Sequence, residues 1–178
     1  MGSHALFTDV SVNPQSRLGV GACLLLPIQF LGTACDDIDR AELSGNCISR
    51  RFTDTSSTLL ELQTVMFGLL MYKDKVAKPL RGDLKLYTDS QCVAGLSRRR
   101  ESLENKGYHS LKTGLLLANA SLYRDFFVIS DELGLEVVKI TGHSRASSHD
   151  SLKRIFSVVD RYARRELGLW LNPEKFRD

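Results

Sequence analysis

The sequence has no long apolar run and no strong excess of one charge. No stretch approaches the length of about 20 apolar residues that a membrane-spanning helix needs, and no secretory signal pattern is present. The formal net charge is only +3, so the overall composition does not by itself indicate a polyanionic partner. We therefore expect a cytoplasmic protein that does not bind a membrane.

The cysteine pattern gives no indication of a zinc finger or a redox motif. None of the four cysteines has CxxC spacing, and none has a histidine in zinc-finger register. They are Cys23, Cys35, Cys47 and Cys92. Such scattered cysteines predict free thiols in a reducing compartment.

The chain also lacks internal repeats, low-complexity tracts and a recognisable domain linker. Its 178 residues suit one domain, and a hydrophobic content of 43% is ordinary for a soluble globular protein. We therefore expect a single domain over residues 1–178.

Apolar alternation and helical periodicity predict the order of the elements. Strands are expected at residues 5–9, 19–26, 47–53, 84–89 and 135–140, and helices at 59–72, 90–96, 115–133 and 151–167. Residues 29–45 are interpreted as a loop or partial strand. The first three strands should form an antiparallel meander, and the later two should return parallel to the first strand. The predicted fold class is α/β, with a mixed five-stranded sheet flanked by helices.

The stretch Leu84 to Gln91 indicates where a site would lie. It begins as an alternating strand, stops on Asp89 and continues into a short helix that Ser90 could cap. A carboxylate at the carboxyl end of a strand lies where open α/β sheets place their sites. The alternative is that Asp89 is only a turn or capping residue.

Three further carboxylates occupy related positions. Asp9 ends the first predicted strand, Glu61 lies near the start of the first long helix, and Asp160 lies inside the last helix. At about 100° per residue, Asp160 falls within the apolar stripe of that helix. The stripe consists of Leu152, Phe156, Val159, Ala163 and Leu167. A buried carboxylate is costly unless an arginine, hydrogen-bond donors or a metal ion compensates it.

Four carboxylates together favour a metal site over four separate salt bridges or caps. Oxygen-only ligation suits Mg²⁺ or Mn²⁺, and two such ions can promote phosphodiester cleavage. Asp150 is a competing candidate in the last segment, but it lies where a helix begins and N-capping would explain it. Asp160 is therefore the predicted ligand.

Five short motifs resemble the ribonuclease H family, specifically its cellular, bacterial-type (ribonuclease HI-like) branch. They are FTDVS at residues 7–11, LEL at 60–62, YTDSQ at 87–91, TGH at 141–143 and VDR at 159–161. Their order agrees with the order of elements in that fold over nearly the whole chain. The resemblance implies a ribonuclease H-like fold and an RNA–DNA hybrid as substrate.

The resemblance also implies roles for individual residues. Asp9, Glu61, Asp89 and Asp160 would bind two Mg²⁺ or Mn²⁺ ions, and His143 would assist turnover and product release. The implied substrate-binding residues are Ser11, Asn13, Ser57, Thr58, Gln91, Arg98, Arg99 and Arg100. The arginines begin segment 98–112, where many family members carry a basic protrusion.

The chain departs from the family pattern at several positions. Val10 follows the first acid where the family usually has glycine, and Ser57 and Thr58 stand where asparagines are common. The tryptophans that are common in the protrusion are absent, since the single tryptophan is Trp170. The loop between His143 and Asp160 is longer than in many members.

The leading hypothesis is a monomeric, Mg²⁺-dependent endonuclease that cuts the RNA strand of RNA–DNA hybrids and leaves 3′-hydroxyl and 5′-phosphate ends. The alternatives are a non-catalytic nucleic-acid-binding module and another nuclease of the same fold, such as a resolvase or an exonuclease. Fold alone does not separate these alternatives.

Overall fold

A computed structural model describes residues 2–141 and 150–176 of the chain. The strands are β1 (Gly2–Asn13), β2 (Leu18–Pro27), β3 (Ile48–Phe52), β4 (Arg81–Thr88) and β5 (Leu135–Lys139). The α-helices are α1 (Arg40–Asn46), α2 (Ser57–Lys75), α3 (Gln91–Ala94), α4 (Leu96–Asn105), α5 (Ala120–Leu133) and α6 (Ser151–Leu171). Short 3₁₀ turns lie at Ile28–Gly32, Cys35–Asp37, Lys78–Leu80 and Pro173–Phe176.

The strands form one mixed sheet in the order β3-β2-β1-β4-β5. β1, β2 and β3 are antiparallel neighbours, whereas β4 runs parallel to β1 and β5 runs parallel to β4. This topology confirms the predicted fold class. It also brings the carboxyl ends of β1 and β4 to the same edge of the sheet.

Helices cover both faces of the sheet because side chains alternate along each strand. Leu6 of β1 packs with residues of α2 and α5 on one face, whereas Ala5 and Phe7 pack with residues of α6 on the other. Each face therefore buries its own apolar cluster. The two long helices α2 and α6 are thereby fixed on opposite sides of β1.

Local signals explain several helix boundaries. The side chain of Ser56 accepts a hydrogen bond from the Leu59 amide at the start of α2, and Ser90 caps α3 in the same way through Val93. Gly134 ends α5 in the left-handed conformation at φ 58°. The predicted capping role of Ser90 is confirmed.

Strand β1 is longer than predicted. Its parallel pairing with β4 stops at the pair Phe7–Tyr87, but its antiparallel pairing with β2 continues through Asp9–Ala22 to Asn13–Leu18. Asp9 therefore does not end the strand. It lies just beyond the point where β1 loses its parallel neighbour.

The interpretation of residues 29–45 as a loop or partial strand is wrong. The segment contains two 3₁₀ turns and leads into α1, whose first turn is capped by Asp39 through the amides of Ala41 and Glu42. Ile38 and Leu43 are buried in the same apolar cluster as α6. Tertiary burial stabilises a helix that is too short to be evident from periodicity.

One predicted boundary between α3 and α5 also fails. α5 begins at Ala120 and not at residue 115, and residues 108–117 form a tight loop in which Leu117 donates to Tyr108 and Ser110 donates to Leu115. The arginines at 98–100 lie inside α4. Leu70, which the helical periodicity places in the buried stripe of α2, is 50% exposed.

Two expectations from composition can be compared with the described residues. All four cysteines are free thiols. Within residues 2–141 and 150–176, no helix combines the length and the apolar character that crossing a membrane requires.

Helix α2 crosses β2 at a position where only glycine fits. A Cβ atom added to Gly21 would lie 2.8 Å from the Cβ of Thr64 in α2. We predict that Gly21→Ala lowers the free energy of unfolding by about 1–3 kcal/mol, because overpacking forces the helix from the sheet. Denaturant titration measures the change.

Gly45→Ala is the matched control for this substitution. A Cβ atom at Gly45, within α1, would have no neighbour within 4 Å. This variant should be unchanged or stabilised by up to about 1 kcal/mol. A Gly21→Ala variant as stable as the parent would show that the contact between β2 and α2 is looser than described.

Candidate active site

Four carboxylates from four different elements face one cleft at the edge where β1 and β4 separate. Asp9 lies on β1 two residues beyond its last pair with β4, and Asp89 directly follows β4. Glu61 is the fifth residue of α2, and Asp160 lies in the middle of α6. The strands and the two long helices thus deliver all four acids to one place.

The cleft has a volume of about 350 Å³. Besides the four acids, it is lined by Val10, Ser57, Ile140, Thr141, Lys153, Phe156, Ser157 and Arg164. The lining combines a concentrated group of carboxylates with cationic side chains and hydroxyl groups. This composition suits a charged, oxygen-rich ligand better than an apolar one.

Burial and neighbouring charges act strongly on the carboxyl group of Asp9. Burial and, after it, the negative charges of Asp89 and Asp160 together raise the pKa of its carboxyl to about 8, against the opposing effect of a hydrogen bond from the Val10 amide. A carboxyl with such a pKa holds a proton at neutral pH unless a cation lies near it. Asp9 is therefore a place where positive charge is stabilised.

Glu61 is oriented by a hydroxyl group. Ser90 donates a hydrogen bond of 2.5 Å to Oε2 of Glu61, and its own oxygen accepts the Val93 amide that begins α3. Burial raises the pKa of Glu61, the Ser90 hydrogen bond lowers it, and Asp89 raises it. The sequence predicted Ser90 as a cap but not as the partner of Glu61.

Asp160 lies at the border of the buried stripe of α6 and is less buried than the stripe predicted. Its neighbours Val159 and Ala163 are fully buried, whereas the Asp160 side chain is 28% exposed. It accepts a hydrogen bond of 2.7 Å from Nε of Arg164, one turn later in the helix. The prediction of a capping role for Asp150 is confirmed, since its side chain accepts the Lys153 amide.

The acids do not form a ready-made cage for an ion. Among residues 2–141 and 150–176, no three histidine, cysteine, aspartate or glutamate side chains are placed so that together they could hold a metal ion. Glu61 accepts a hydrogen bond from Ser90 and Asp160 accepts one from Arg164, so two of the four carboxylates are already engaged by the protein. The donor set nevertheless fits Mg²⁺ or Mn²⁺, because it is made of carboxylate oxygens whose repulsion a cation would offset.

The predicted substrate-binding hydroxyl and amide groups are only partly brought together. Ser57 lines the acid cleft, and Thr58 follows it as an exposed residue in the first turn of α2. Ser11 and Asn13 lie farther along β1, where Asn13 accepts the amides of Gln15 and Ser16 and so shapes the β1–β2 turn. Gln91 is exposed and is hydrogen-bonded to Lys139.

The three arginines of α4 differ in their surroundings. Arg100 forms a bidentate pair with Asp131 and also contacts Glu104, and Arg99 donates to the backbone oxygens of Cys92 and Gly95. Arg98 is exposed beside Gln91, in a shallow depression outside the acid cleft. The charge of Arg100 is thus already compensated within the fold.

The remaining predicted site residue, His143, lies outside the described residues, as does the rest of segment 142–149. Two cleft residues, Lys153 and Arg164, were missed by the sequence analysis. They lie seven residues before and four residues after Asp160, so helical spacing places all three on one face of α6. That spacing was a usable signal.

The sheet order and its covering helices define a ribonuclease H-like α/β fold. A structure of the foamy viral protease-reverse transcriptase in complex with dsDNA matches with a TM-score of 0.61 and 12% identity, over 92% of each chain. A structure of the same viral protein in complex with RNA/DNA hybrid matches with a TM-score of 0.57 and 12% identity, over 92% of this chain and 19% of that chain. At this identity the likeness shows the fold alone.

The sequence itself gives no comparable match. No protein-family model matches the chain, and no curated protein matches it.

The raised pKa of Asp9 leads to a prediction about stability. Because the folded protein holds this proton more tightly than the unfolded chain does, stability should fall as the pH rises from about 4 to about 8. In a chelator-containing buffer, Asp9→Asn should therefore raise Tm at pH 8 by about 3 °C or more. The gain should be smaller at pH 4. Thermal unfolding at the two pH values measures it.

Asp125→Asn serves as the control, because Asp125 is an exposed carboxylate on α5. It should change Tm little at either pH. If Asp9→Asn lowers Tm at pH 8, the carboxylates do not repel one another as described.

Proposed function

We propose that this protein is a Mg²⁺-dependent endonuclease that hydrolyses the RNA strand of RNA–DNA hybrids. The observation that carries the proposal is the placement of Asp9, Glu61, Asp89 and Asp160 along one cleft. A module that only binds nucleic acid gains nothing from four mutually repelling carboxylates that face its anionic ligand. A hydrolase that holds divalent cations needs them.

The four carboxylates would hold two Mg²⁺ or Mn²⁺ ions. When bound, such a pair of ions activates a water molecule and stabilises the leaving oxygen. The chain contributes the fixed charge of Asp9 and Asp89 at the sheet edge and a Glu61 carboxylate held by Ser90. Burial of Asp9 keeps water from screening that charge.

The cleft rim suits a hybrid duplex. Hybrids are distinguished by their 2′-hydroxyl groups and backbone shape more than by base contacts. Ser57 lies in the cleft itself, and Ser11, Thr58 and Gln91 present short polar side chains on the elements that border it. Arg98 adds an exposed positive charge near Gln91. The viral protein of similar fold has been seen with dsDNA and with RNA/DNA hybrid.

Assignment to the cellular branch of the family rests on the five sequence motifs. We propose on the same basis that the chain acts as a single-domain monomer and that Asn13 and Arg99 contribute to hybrid binding. Arg100 has a weaker case, since Asp131 and Glu104 already engage its guanidinium.

Cleavage of a matched substrate panel tests the proposal. With Mg²⁺ present, the protein should cut the RNA strand of a hybrid and leave 3′-hydroxyl and 5′-phosphate ends, and it should leave RNA duplex, DNA duplex and single strands uncut. Added salt should weaken binding because phosphate contacts release counterions. Equal cutting of DNA duplex would favour a resolvase or exonuclease, and no cutting of any substrate would favour a binding module.

Asparagine substitutions test the assigned ligands. Asp89→Asn and Asp160→Asn should each lower Mg²⁺-dependent cleavage by more than about 100-fold, since each removes a charge from the proposed metal site. Asp150→Asn is the control, because Asp150 caps α6 outside the cleft lining and should cost at most about 1–2 kcal/mol of stability. Loss of cleavage in Asp150→Asn with activity retained in Asp160→Asn would reverse the assignment.

His143 is proposed to assist turnover and product release. A neutral imidazole near a leaving group can transfer a proton or ease product exit. We expect His143→Ala to lower kcat by about 10-fold or more, with KM changed less than about threefold. Steady-state kinetics on one hybrid measures both constants. Unchanged kcat would remove His143 from the mechanism.

A further inference from the structure

Arg164 is a cation inside the cleft that the proposed chemistry does not use. Its Nε lies 2.7 Å from Oδ1 of Asp160, and the guanidinium lines the same cleft as the other three acids. The pair spans one turn of α6, so both side chains leave the same face of the helix. A proposed metal ligand is therefore already hydrogen-bonded to a positive group of the protein.

The ion pair between Arg164 and Asp160 can be broken readily. The Arg164 side chain is 59% exposed and the Asp160 side chain 28% exposed, so solvent can replace either partner. Exposed ion pairs of this kind are weak. A divalent ion carries twice the charge of a guanidinium, so it attracts the carboxylate more strongly. It also repels a guanidinium a few ångströms away.

The other cations of α6 do not share this arrangement. Lys153 also lines the cleft, but its Nζ lies 3.6 Å from the capping carboxylate of Asp150. Arg165 lies away from the cleft, where it contacts Glu166 and the ring of Tyr162. Among the described residues of α6, Arg164 is the cation that is ion-paired to one of the four clustered acids.

We propose that Arg164 is an internal counter-cation that holds the Asp160 carboxylate in the metal-free protein and is displaced when a divalent ion binds. The inference rests on the proposed metal site. Asp9 and Asp89 are fixed by the sheet, whereas Asp160 is released from Arg164 to complete the ligand set. Arg164 is thus a positioning residue that competes with the metal and sets how much of it the protein requires.

Calorimetric titration of the full chain with Mn²⁺, without nucleic acid and at constant ionic strength, tests this role. Arg164→Gln removes the charge and keeps a long polar side chain, and it should bind Mn²⁺ about fivefold more tightly than the parent, which corresponds to about 1 kcal/mol. Arg164→Lys keeps the charge and should bind nearly as the parent does. Arg165→Gln loses a charge from the same helix outside the cleft and should stay within about a factor of two of the parent.

The possible outcomes separate this inference from the proposed function. Unchanged or weaker Mn²⁺ binding by Arg164→Gln would overturn the counter-cation role and leave the metal site intact. Equal tightening in Arg165→Gln, or in Arg164→Lys, would also overturn it, because the effect would then not depend on a cation next to Asp160. No saturable binding by the parent would overturn the metal site and this inference together.

Discussion

Mutual repulsion among clustered carboxylates is the constraint that shapes this site. Asp9 and Asp89 are held close because β1 and β4 are parallel neighbours, and neither can move without disturbing the sheet. Burial of Asp9 and, after it, the charge of Asp89 raise the pKa of Asp9 well above the ordinary value. The fold therefore holds these carboxylates together at a cost in stability.

Hydrogen bonds from the surrounding residues reduce the repulsion among the carboxylates without removing it. The Val10 amide donates to Asp9, Ser90 donates to Glu61, and Arg164 donates to Asp160. The Val10 and Arg164 contacts are local, made by the next residue and the next helical turn, whereas Ser90 reaches Glu61 from a helix cap 29 positions away in sequence. None of them fills the space between the acids. The site thus keeps four carboxylates in one cleft with only partial compensation, and the proposed metal-dependent hydrolase activity rests on this arrangement.

The sequence predicts those parts of the site whose positions follow from strand and helix periodicity. Acids at the carboxyl ends of parallel strands must share an edge, so Asp9 and Asp89 could be placed together from the amino-acid sequence alone. Periodicity could not show that Ser90 reaches back to Glu61, because that contact joins residues 29 positions apart in sequence. Helical spacing is enough to place Arg164 beside Asp160. The apolar stripe of α6 predicted a fully buried Asp160, whereas the residue lies at the border of that stripe.

The errors in the predicted fold have a common cause. The elements concerned depend on tertiary contacts that the local sequence does not show. Helix α1 is short and exists because Ile38 and Leu43 are buried against α6, which no local pattern reveals. Leu115 and Leu116 look like the start of a helix, yet they are 70% and 53% exposed in a tight loop before α5. Where the pattern of apolar residues is long and regular, as in α2, α6 and the sheet, the sequence is sufficient to predict the element.

Anomalous diffraction from crystals of the protein soaked in Mn²⁺ is the most direct test of the central claim. We expect manganese peaks in the cleft, within direct bonding distance of carboxylate oxygens of Asp9 and Asp89, with the Asp160 side chain turned from Arg164 toward the ions. Full manganese occupancy elsewhere with none beside Asp9 and Asp89 would contradict it. The four carboxylates would then be a structural cluster and not a metal-dependent active site.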